Sequence, residues 1–213
     1  MDKICLIIQG ASNNVDIIKE KYKNTNIQII FSTWEGEENK YNENDIVLFN
    51  KIPDEKGIQN IMLQQLSTYN GLIKAKELGF KNAIKIRSDM YFTDIDTYLK
   101  NNINYSKINF LYFLNYYRNG GPDKKSNFYK YFCDYLQISN IDNLLKMWNF
   151  KYDHNNTFYA EQLITKHIFN TFNIQDIAFI GNYLTDNCDI FWISRKLYLS
   201  NLNNHSHYKI TIL

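Results

Sequence analysis

The sequence predicts an α/β fold with a mixed, mainly parallel central sheet flanked by helices. Short apolar runs of strand length alternate with segments of helical periodicity through the first half of the chain. Strands separated by helices in this way pair in parallel through right-handed crossovers. In the second half, short strand-like pieces and helices follow in a less regular order, which makes the predicted sheet mixed.

Four strands are predicted in the first half from apolar runs bounded by turn residues. They are Ile4 to Gln9, Ile27 to Thr33, Asp45 to Asn50 and the run that begins at Asn82. A helix that carries Val15, Ile18 and Tyr22 on one face separates the first two strands. The polar stretch Trp34 to Asn44 has no periodicity and is predicted to be a loop.

A long helix from Ile58 to Leu78 is predicted to lead into the fourth strand. Gly79 follows it in the position of a C-cap. Its predicted inward stripe consists of Ile58, Ile61, Met62, Leu66, Tyr69, Leu72 and Ile73.

The second half contains further predicted strands and helices. Strands are predicted at Lys107 to Leu114, Tyr131 to Ile138 and Ile177 to Ile180, with later β-like pieces at Asp189 to Ser194 and Lys209 to Leu213. Helices are predicted at Asp94 to Lys100, from an N-cap at Ser139 or Asn140 through Trp148, and at Thr157 to Phe172. Phe158, Leu163, Ile164, Ile168 and Phe172 are the predicted inward residues of the last helix.

The length and net charge of the chain limit the kinds of function that the protein can have. The chain has 213 residues and a mass of 25.5 kDa, enough to bury most of its apolar surface, and we predict one domain spanning 1–213. The net charge is only +2 and the pI is about 8.2, so nothing marks the protein as a nucleic-acid binder. A neutral or small-molecule partner is favoured.

Cysteine usage and hydropathy indicate a reducing, cytoplasmic compartment. Cys5, Cys133 and Cys188 are odd in number and far apart, which argues against a disulfide framework and against a close-paired zinc site. The apolar run from Ile4 to Ile8 is too short for a signal peptide or a membrane span. We therefore predict a cytoplasmic protein without a transmembrane segment, whose membrane contact is at most peripheral, at the inner face of the cytoplasmic membrane.

The strand that begins at Asn82 ends in Arg87, Ser88 and Asp89. In an open α/β sheet, the carboxyl ends of the strands form the ligand crevice, so these charges are predicted to meet a bound molecule. A turn with a local ion pair is the alternative interpretation. After the first strand, Gln9 is followed by Gly10 alone, without the three glycines of a dinucleotide-binding loop, which disfavours a nicotinamide or flavin dehydrogenase.

Six pieces in chain order carry a family resemblance. They are IIQG from Ile7, FSTWEGE from Phe31, QQLSTYNGLIKA from Gln64, KIRSDM from Lys85, CDYLQISNIDNLLKMW from Cys133 and TFYAEQLI from Thr157. Together they resemble the WavE-type lipopolysaccharide-synthesis glycosyltransferases. The resemblance implies a Rossmann-like, GT-A-like fold and the transfer of a sugar from a nucleotide-sugar donor to a glycan acceptor such as lipopolysaccharide, lipooligosaccharide or capsule.

The resemblance also implies ligand-binding roles. The Arg87-Ser88-Asp89 piece is similar to the family's Arg-(Ser/Thr)-Asp element, which implies that Asp89 binds a divalent cation, Mn²⁺ or Mg²⁺, bridging the donor diphosphate. Such hard cations prefer carboxylate and phosphate oxygens. Arg87 is expected to neutralise phosphate or to brace the site. The remaining residues expected to bind the nucleotide sugar are Gln9, Gly10, Ser32, Thr33 and Gln64.

The sequence departs from the family pattern in two places. Leu63 stands where the family usually has an arginine before Gln64. The run from Ser139 to Asn143 lacks the glutamate of the family's Gly-x-x-Glu-Asp segment. These differences imply an altered specificity or a weakened enzyme.

An inverting transferase needs a carboxylate that removes the proton from the acceptor hydroxyl. Glu161 is the first candidate for this base, although an acid in the first turn of a helix also interacts favourably with the helix dipole. Asp134 is the second candidate, with a role in shaping the acceptor site as the alternative. His205 and His207 are candidate metal ligands near the C-terminus, against the alternative of a polar tail.

Two other functions stay open. The first is a catalytically silent nucleotide-sugar or glycan-binding module of the same fold. The second is an unrelated Rossmann-like enzyme such as a methyltransferase. Ser32 and Thr33 count against a methyltransferase, because they leave the end of the second strand without an acidic residue.

Overall fold

A sheet of seven strands forms the centre of the described part of the protein. The computed structural model describes residues 3–92, 95–100, 103–110, 113–116, 129–132, 134–152, 160–179 and 190–192. The strands are β1 (Ile4–Gln9), β2 (Gln28–Trp34), β3 (Ile46–Asn50), β4 (Asn82–Arg87), β5 (Met90–Phe92), β6 (Ile108–Phe110), β7 (Phe113–Tyr116), β8 (Tyr129–Phe132), β9 (Leu136–Asn140), β10 (Ile177–Phe179) and β11 (Ile190–Trp192). The α-helices are α1 (Val15–Tyr22), α2 (Ile61–Glu77), α3 (Ile95–Lys100), α4 (Ile141–Trp148) and α5 (Ala160–Thr171).

The strand order of the central sheet is β10-β6-β9-β4-β1-β2-β3. Strands β1, β2, β3 and β4 pair in parallel, as do β6 and β10. Strand β9 is antiparallel to both of its neighbours, β4 and β6. The predicted α/β class, with a mixed, mainly parallel sheet flanked by helices, is confirmed. Two short antiparallel pairs, β5 with β11 and β7 with β8, lie outside this sheet.

The two faces of the sheet are covered by different hydrophobic clusters. Successive side chains of a strand point to opposite faces, so β1 contributes Ile7 to one cluster and Leu6 and Ile8 to the other. The cluster around Ile7 includes residues of α2, α4 and α5. The second cluster includes Val15, Ile18 and Tyr22 of α1, the face predicted from helical spacing.

The side of α2 that faces the sheet differs from the predicted apolar stripe. Ile61 and Leu72 are buried as expected, but Leu66, Tyr69 and Ile73 are only partly buried. The other buried positions carry small residues: Ser67, Thr68, Gly71 and Ala75. A Cβ atom at Gly71 would lie 2.9 Å from Ile7 Cγ2, so the helix sits too close to β1 for large side chains. The predicted inward stripe is therefore confirmed at Ile61 and Leu72 and wrong at Leu66 and Ile73, and α2 is shorter at both ends than the predicted Ile58 to Leu78.

Two predicted strands are each divided in the structure. The segment Lys107 to Leu114 forms β6 and β7, which belong to different sheets. The segment Tyr131 to Ile138 forms the end of β8 and the start of β9, with a bend at Asp134 and Tyr135 between them. Because β9 is antiparallel to β4, its first residues lie beside the carboxyl end of β4. The bend thus brings Asp134 to the edge of the sheet where the ligand crevice was predicted.

Other predicted elements agree closely with the structure. The side chain of Asn140 caps α4 by accepting a hydrogen bond from the backbone N–H of Asn143, at 2.8 Å. Gly79 ends α2 with a φ of +81°. The predicted positions Thr157, Phe158 and Lys209 to Leu213 lie outside the described residues. No helix in the described ranges is both long enough and apolar enough to span a bilayer.

Candidate functional site

The carboxyl ends of β1 and β4 and the beginning of β9 lie side by side at one edge of the sheet. Gln9 at the end of β1 is in register with Arg87 at the end of β4. Ile86, the residue before Arg87, is in register with Leu136 of β9. Three separate parts of the sequence therefore supply side chains to one place, which we call the carboxyl edge.

Arg87 lies between two carboxylates at the carboxyl edge. Its Nε donates to Asp89 Oδ1 at 2.9 Å, and its Nη2 donates to Asp89 Oδ2 at 2.7 Å. Its Nη1 lies 3.6 Å from Asp134 Oδ2. A bidentate guanidinium–carboxylate pair fixes both the distance and the orientation of its partners. The predicted local ion pair is present, and it is extended by a second acid that is distant in sequence.

The pKa of the Arg87 guanidinium is shifted by competing effects. Burial alone would lower it, because a buried cation loses its hydration. The hydrogen bonds to Asp89 and the negative charges of Asp134 and Asp89 outweigh burial, so the pKa of Arg87 lies above its usual value. Arg87 is therefore a permanent cation at the carboxyl edge.

Asp134 is the most deeply buried acid of this group, with 1% of its surface exposed. Its Oδ1 has no hydrogen-bond partner among the described residues. The ammonium group of Lys85, which is fully buried, donates to the backbone carbonyl of Asp134 and lies 4.8 Å from the centre of the Trp148 ring. Buried acceptors are normally paired, so the free oxygen of Asp134 is a candidate ligand contact.

The turn after β1 packs directly against the turn after β4. Gly10 has a φ of +122°, and its N–H donates to the carbonyl of Ser32 at 3.1 Å. The N–H of Ser88 donates to the carbonyl of Gln9 at 2.8 Å. Gln9 is 5% exposed, and its side-chain oxygen has no partner in the described structure. Gln9 and Gly10 thus lie at the predicted nucleotide-sugar site, next to Arg87.

Ser32 is occupied by contacts within the protein. Its hydroxyl donates to the carbonyl of Ser67 at 2.6 Å and accepts from Asn50 Nδ2 at 3.0 Å. The side chain of Asn70 donates in turn to Asn50 Oδ1 at 2.9 Å. This network attaches α2 to β2 and β3, and it explains the full burial of Ser32 without any ligand.

Thr33 belongs to a cluster that the sequence did not reveal. Oε2 of Glu37 accepts a hydrogen bond from the Thr33 hydroxyl, and it accepts from the backbone N–H and the hydroxyl of Ser12 at 3.2 Å and 2.8 Å. The Ser12 hydroxyl also lies 2.7 Å from the hydroxyl of Tyr41. One carboxylate therefore joins the loop after β2 to the turn after β1. The aperiodic, polar sequence of this loop gave no signal for that contact.

Gln64 lies in the first half of α2, one turn before Ser67 and Thr68. Helix α2 connects β3 to the parallel strand β4, so it runs opposite to the strands and its first turns lie toward the carboxyl edge. The side-chain oxygen of Gln64 is buried and has no partner among the described residues. Gln64 thus lies on the side of the molecule where the sequence predicted it to act.

Glu161 occupies the first turn of α5 and is 8% exposed. Thr165, one turn later, accepts a hydrogen bond from the backbone N–H of Phe132 at 2.9 Å. Residues four apart lie on the same side of a helix, so Glu161 is on the side of α5 that faces the end of β8. The bend that carries Asp134 follows directly after β8. The role of Glu161 as a catalytic base stays a prediction.

The described residues offer a limited fit to the predicted divalent cation. They contain no group of three or more His, Cys, Asp or Glu side chains placed to hold a metal ion. His205 and His207 lie outside the described residues. One observation favours a cation: Asp134 Oδ1 is a buried carboxylate oxygen without a hydrogen-bond partner among the described residues. Mn²⁺ and Mg²⁺ prefer oxygen ligands of this kind. Both oxygens of Asp89, however, already accept hydrogen bonds from Arg87.

Comparisons with known proteins give no family for this chain. No protein-family model and no curated protein sequence match it. Among solved structures, it is similar to the crystal structure of the galactosyltransferase LgtC in complex with donor and acceptor sugar analogues, with a TM-score of 0.49 and 12% identity. The match covers 83% of this chain and 72% of that one. A likeness at this level assigns neither a family nor an activity.

Proposed function

We propose that this protein is a glycosyltransferase that moves a sugar from a nucleotide-activated donor to a surface glycan, such as lipopolysaccharide, lipooligosaccharide or capsule. The observation that carries the proposal is the position of the Arg87–Asp89 pair at the carboxyl edge of a mainly parallel sheet, beside Gln9 and the buried Asp134. This is the edge where open α/β sheets bind their ligands. The similarity of the Arg-Ser-Asp piece to the WavE-type transferases supports the same reaction class.

Each group at the edge has a chemical role in sugar transfer. Arg87 is a permanent cation. It stabilises the negative charge that develops on the diphosphate as the bond between the sugar and the diphosphate breaks. The backbone turn at Gly10 lets a donor approach β1 closely, because a glycine leaves no side chain there. Glu161 accepts the proton of the attacking acceptor hydroxyl. Asp134 Oδ1, which has no hydrogen-bond partner among the described residues, accepts a hydrogen bond from a sugar hydroxyl.

A divalent cation would be held by Asp89, whose carboxylate accepts hydrogen bonds from Arg87 in this structure. When bound, it supplies positive charge to the leaving diphosphate. The nucleotide-sugar donor and the glycan acceptor are the proposed partners, and the proposed location is the cytoplasm, with at most peripheral contact at the inner face of the cytoplasmic membrane.

A thermal-shift screen tests the function. The full chain is melted with UDP, GDP, CDP and CMP sugar conjugates, each with and without Mn²⁺. A ligand present at about 100 times its Kd adds roughly 2.7 kcal/mol to the free energy of unfolding, which is a readily measured shift. We expect one nucleotide class to raise the melting temperature and to be turned over. The absence of any shift from all four classes would overturn the proposal, whereas a shift without turnover would indicate a silent binding module.

A further inference from the structure

The residues from Gly57 to Asn60, which we call the connector, lead the chain from β3 into α2 with a strained backbone. Gln59 and Asn60 have φ values of +50° and +60°, in the left-handed region. Residues other than glycine rarely adopt this conformation, and two of them in succession cost free energy. Such strain persists only where the surrounding structure holds the backbone in place. Contacts elsewhere in the fold must therefore hold the connector.

One set of contacts attaches the connector to the segment that follows α4. The backbone N–H of Ile58 donates to the hydroxyl of Tyr152 at 3.0 Å. A Cβ atom on Gly57 would lie 3.2 Å from Cζ of Tyr152 and 2.9 Å from Cγ2 of Ile61. Gly57 itself has a φ of +66°. The start of the connector is therefore packed too closely against Tyr152 and α2 to accept a side chain at residue 57.

The side chain of Gln59 reaches the start of α5. Its Oε1 accepts a hydrogen bond from the backbone N–H of Ala160 at 3.0 Å. The first N–H groups of a helix have no partner within the helix, so a side chain that accepts from one of them helps to fix where the helix begins. Gln59 is exposed, so burial does not account for its strained backbone. Glycine at residue 59 would relieve the strain, but it would also remove this hydrogen bond.

The first turn of α5 is attached to the fold at both of its ends. Ala160 is held by Gln59, and Thr165 accepts a hydrogen bond from the backbone N–H of Phe132 at 2.9 Å. Glu161, the predicted base, follows Ala160 and lies between these two attachments. A general base must stay within hydrogen-bond reach of the proton that it removes. A misplacement of about 1 Å can lower a rate about a hundredfold, so an attachment next to Glu161 bears on turnover.

We propose that Gln59 is a positioning residue for Glu161, which it holds in place through its hydrogen bond to the backbone of Ala160. This inference rests on the proposed transferase function and on Glu161 as its base. It adds that the connector joins the start of α2, which carries Gln64, to the start of α5. The role of its side chain accounts for a residue other than glycine at a position whose backbone conformation favours glycine.

Steady-state kinetics of Gln59 variants in the full chain test the positioning role. UDP-glucose, GDP-mannose, CDP-glucose and CMP-sialic acid are the donors, and the release of free nucleotide is measured with lipooligosaccharide and with water as acceptors. Gln59→Met has nearly the same size but no oxygen acceptor. We expect its kcat to fall at least tenfold while the donor KM stays within threefold of the wild type. Gln59→Glu keeps an oxygen that accepts from the Ala160 N–H, and we expect its kcat to stay within threefold.

Two other variants serve as controls. Asn140→Leu is the matched control, since Asn140 makes the same kind of hydrogen bond at the start of α4, where its side chain accepts from the N–H of Asn143 at 2.8 Å. We expect it to lower the melting temperature without lowering kcat. Asn60→Gly relieves the strain at the residue next to Gln59 and keeps the Gln59 side chain, so its kcat should equal that of the wild type.

The outcomes separate the inference from the function. If Gln59→Met keeps the wild-type kcat, or changes only the donor KM, the inference is overturned and the transferase proposal stands. Equal losses of kcat in Gln59→Met and Gln59→Glu, or in Gln59→Met and Asn140→Leu, also overturn it. If the wild type turns over none of the four donors, both the function and the inference fail. Should Gln59→Met not fold, as judged by circular dichroism, Gln59→Gly removes the acceptor without backbone strain and carries the same expectation.

Discussion

Gly10 and Ser88 are in contact across the ends of two neighbouring strands. A Cβ atom built on Gly10 would lie 2.7 Å from the hydroxyl oxygen of Ser88 and 3.6 Å from its Cβ. The two turns can approach this closely because residue 10 has no side chain and has a φ of +122°. The contact joins the end of β1 to the turn that carries Arg87 and Asp89.

Gly10→Ala is expected to lower the free energy of unfolding by about 1–3 kcal/mol, because alanine rarely adopts this φ and the added methyl group meets Ser88. Urea unfolding monitored by circular dichroism measures the change. Gly36→Ala is the matched control, since Gly36 has a φ of +88° but no heavy atom within 4 Å of the added methyl group. Equal losses in the two variants would show that contact with Ser88 adds nothing.

Glu37→Gln is expected to destabilise the protein by about 1–3 kcal/mol. All the hydrogen bonds that Ser12 and Thr33 donate end on one oxygen, Oε2, and the neutral amide oxygen that would replace it accepts weaker hydrogen bonds than a charged carboxylate does. Glu35→Gln, at an exposed neighbouring position, should stay within about 0.5 kcal/mol of the wild type. A Glu37 variant as stable as this control would mean that the loop after β2 does not depend on the carboxylate.

Asp89→Asn is expected to abolish the Mn²⁺-dependent part of the nucleotide-induced thermal shift. The amide keeps the size of the side chain but lacks the charge that attracts a cation. The ligand-free melting temperature should change little, because a partly exposed ion pair contributes only about 0–1 kcal/mol. Asp142→Asn removes an exposed acid elsewhere and serves as the control. A ligand-free Asp89 variant that unfolds would return this residue to a structural role.

Glu161→Gln is expected to keep donor binding and to lose sugar transfer, because an amide cannot take the proton of the acceptor hydroxyl. The thermal shift with the donor measures binding, and the release of free nucleotide in the presence of a glycan acceptor measures turnover. Glu77→Gln, at an exposed position near the end of α2, is the control for both assays. Unchanged turnover would remove Glu161 as the base and leave Asp134 as the next residue to replace.

Burial raises the pKa of the Cys5 thiol from 9.0 to about 12, although a hydrogen bond with the backbone partly offsets the effect. Between these two values, the unfolded chain loses the proton while the folded chain keeps it. The contribution of the Cys5 thiol to the free energy of unfolding is therefore fully present below about pH 9. Above that pH it falls by up to about 1.4 kcal/mol for each pH unit. Urea unfolding of the wild type and of Cys5→Ala at pH 7, 9 and 10 should show a steeper loss in the wild type. Parallel pH profiles would contradict the assignment.

The strands of the first half were predictable because the apolar runs in the sequence there coincide with the strands that the fold buries. Both bounds of β1, Ile4 and Gln9, match the prediction, since a buried parallel strand is a continuous apolar run. The cap at Asn140 was readable because its side chain bonds only three residues away, to Asn143. Signals of this kind depend on neighbours in the sequence.

The parts that failed depend on contacts between distant residues. The inward side of α2 was predicted only in part, because Gly71 allows a close approach to Ile7 that hydropathy does not record. The break at Asp134 was missed because the residues on both sides of it are apolar and read as one strand. Arg87, Asp89 and Asp134 were all predicted to be site residues, but the contact between Asp134 and Arg87 depends on the antiparallel pairing of β9, which the sequence did not reveal.

The residues that carry charge at the carboxyl edge are attached to the hydrogen-bonded ladder of the sheet, through the pairing of Gln9 with Arg87 and of Ile86 with Leu136. The surface loops contribute none of these pairings. Loop exchange is therefore a practical engineering route for this scaffold: segments grafted between Glu37 and β3 can be varied while the electrostatic centre is inherited unchanged.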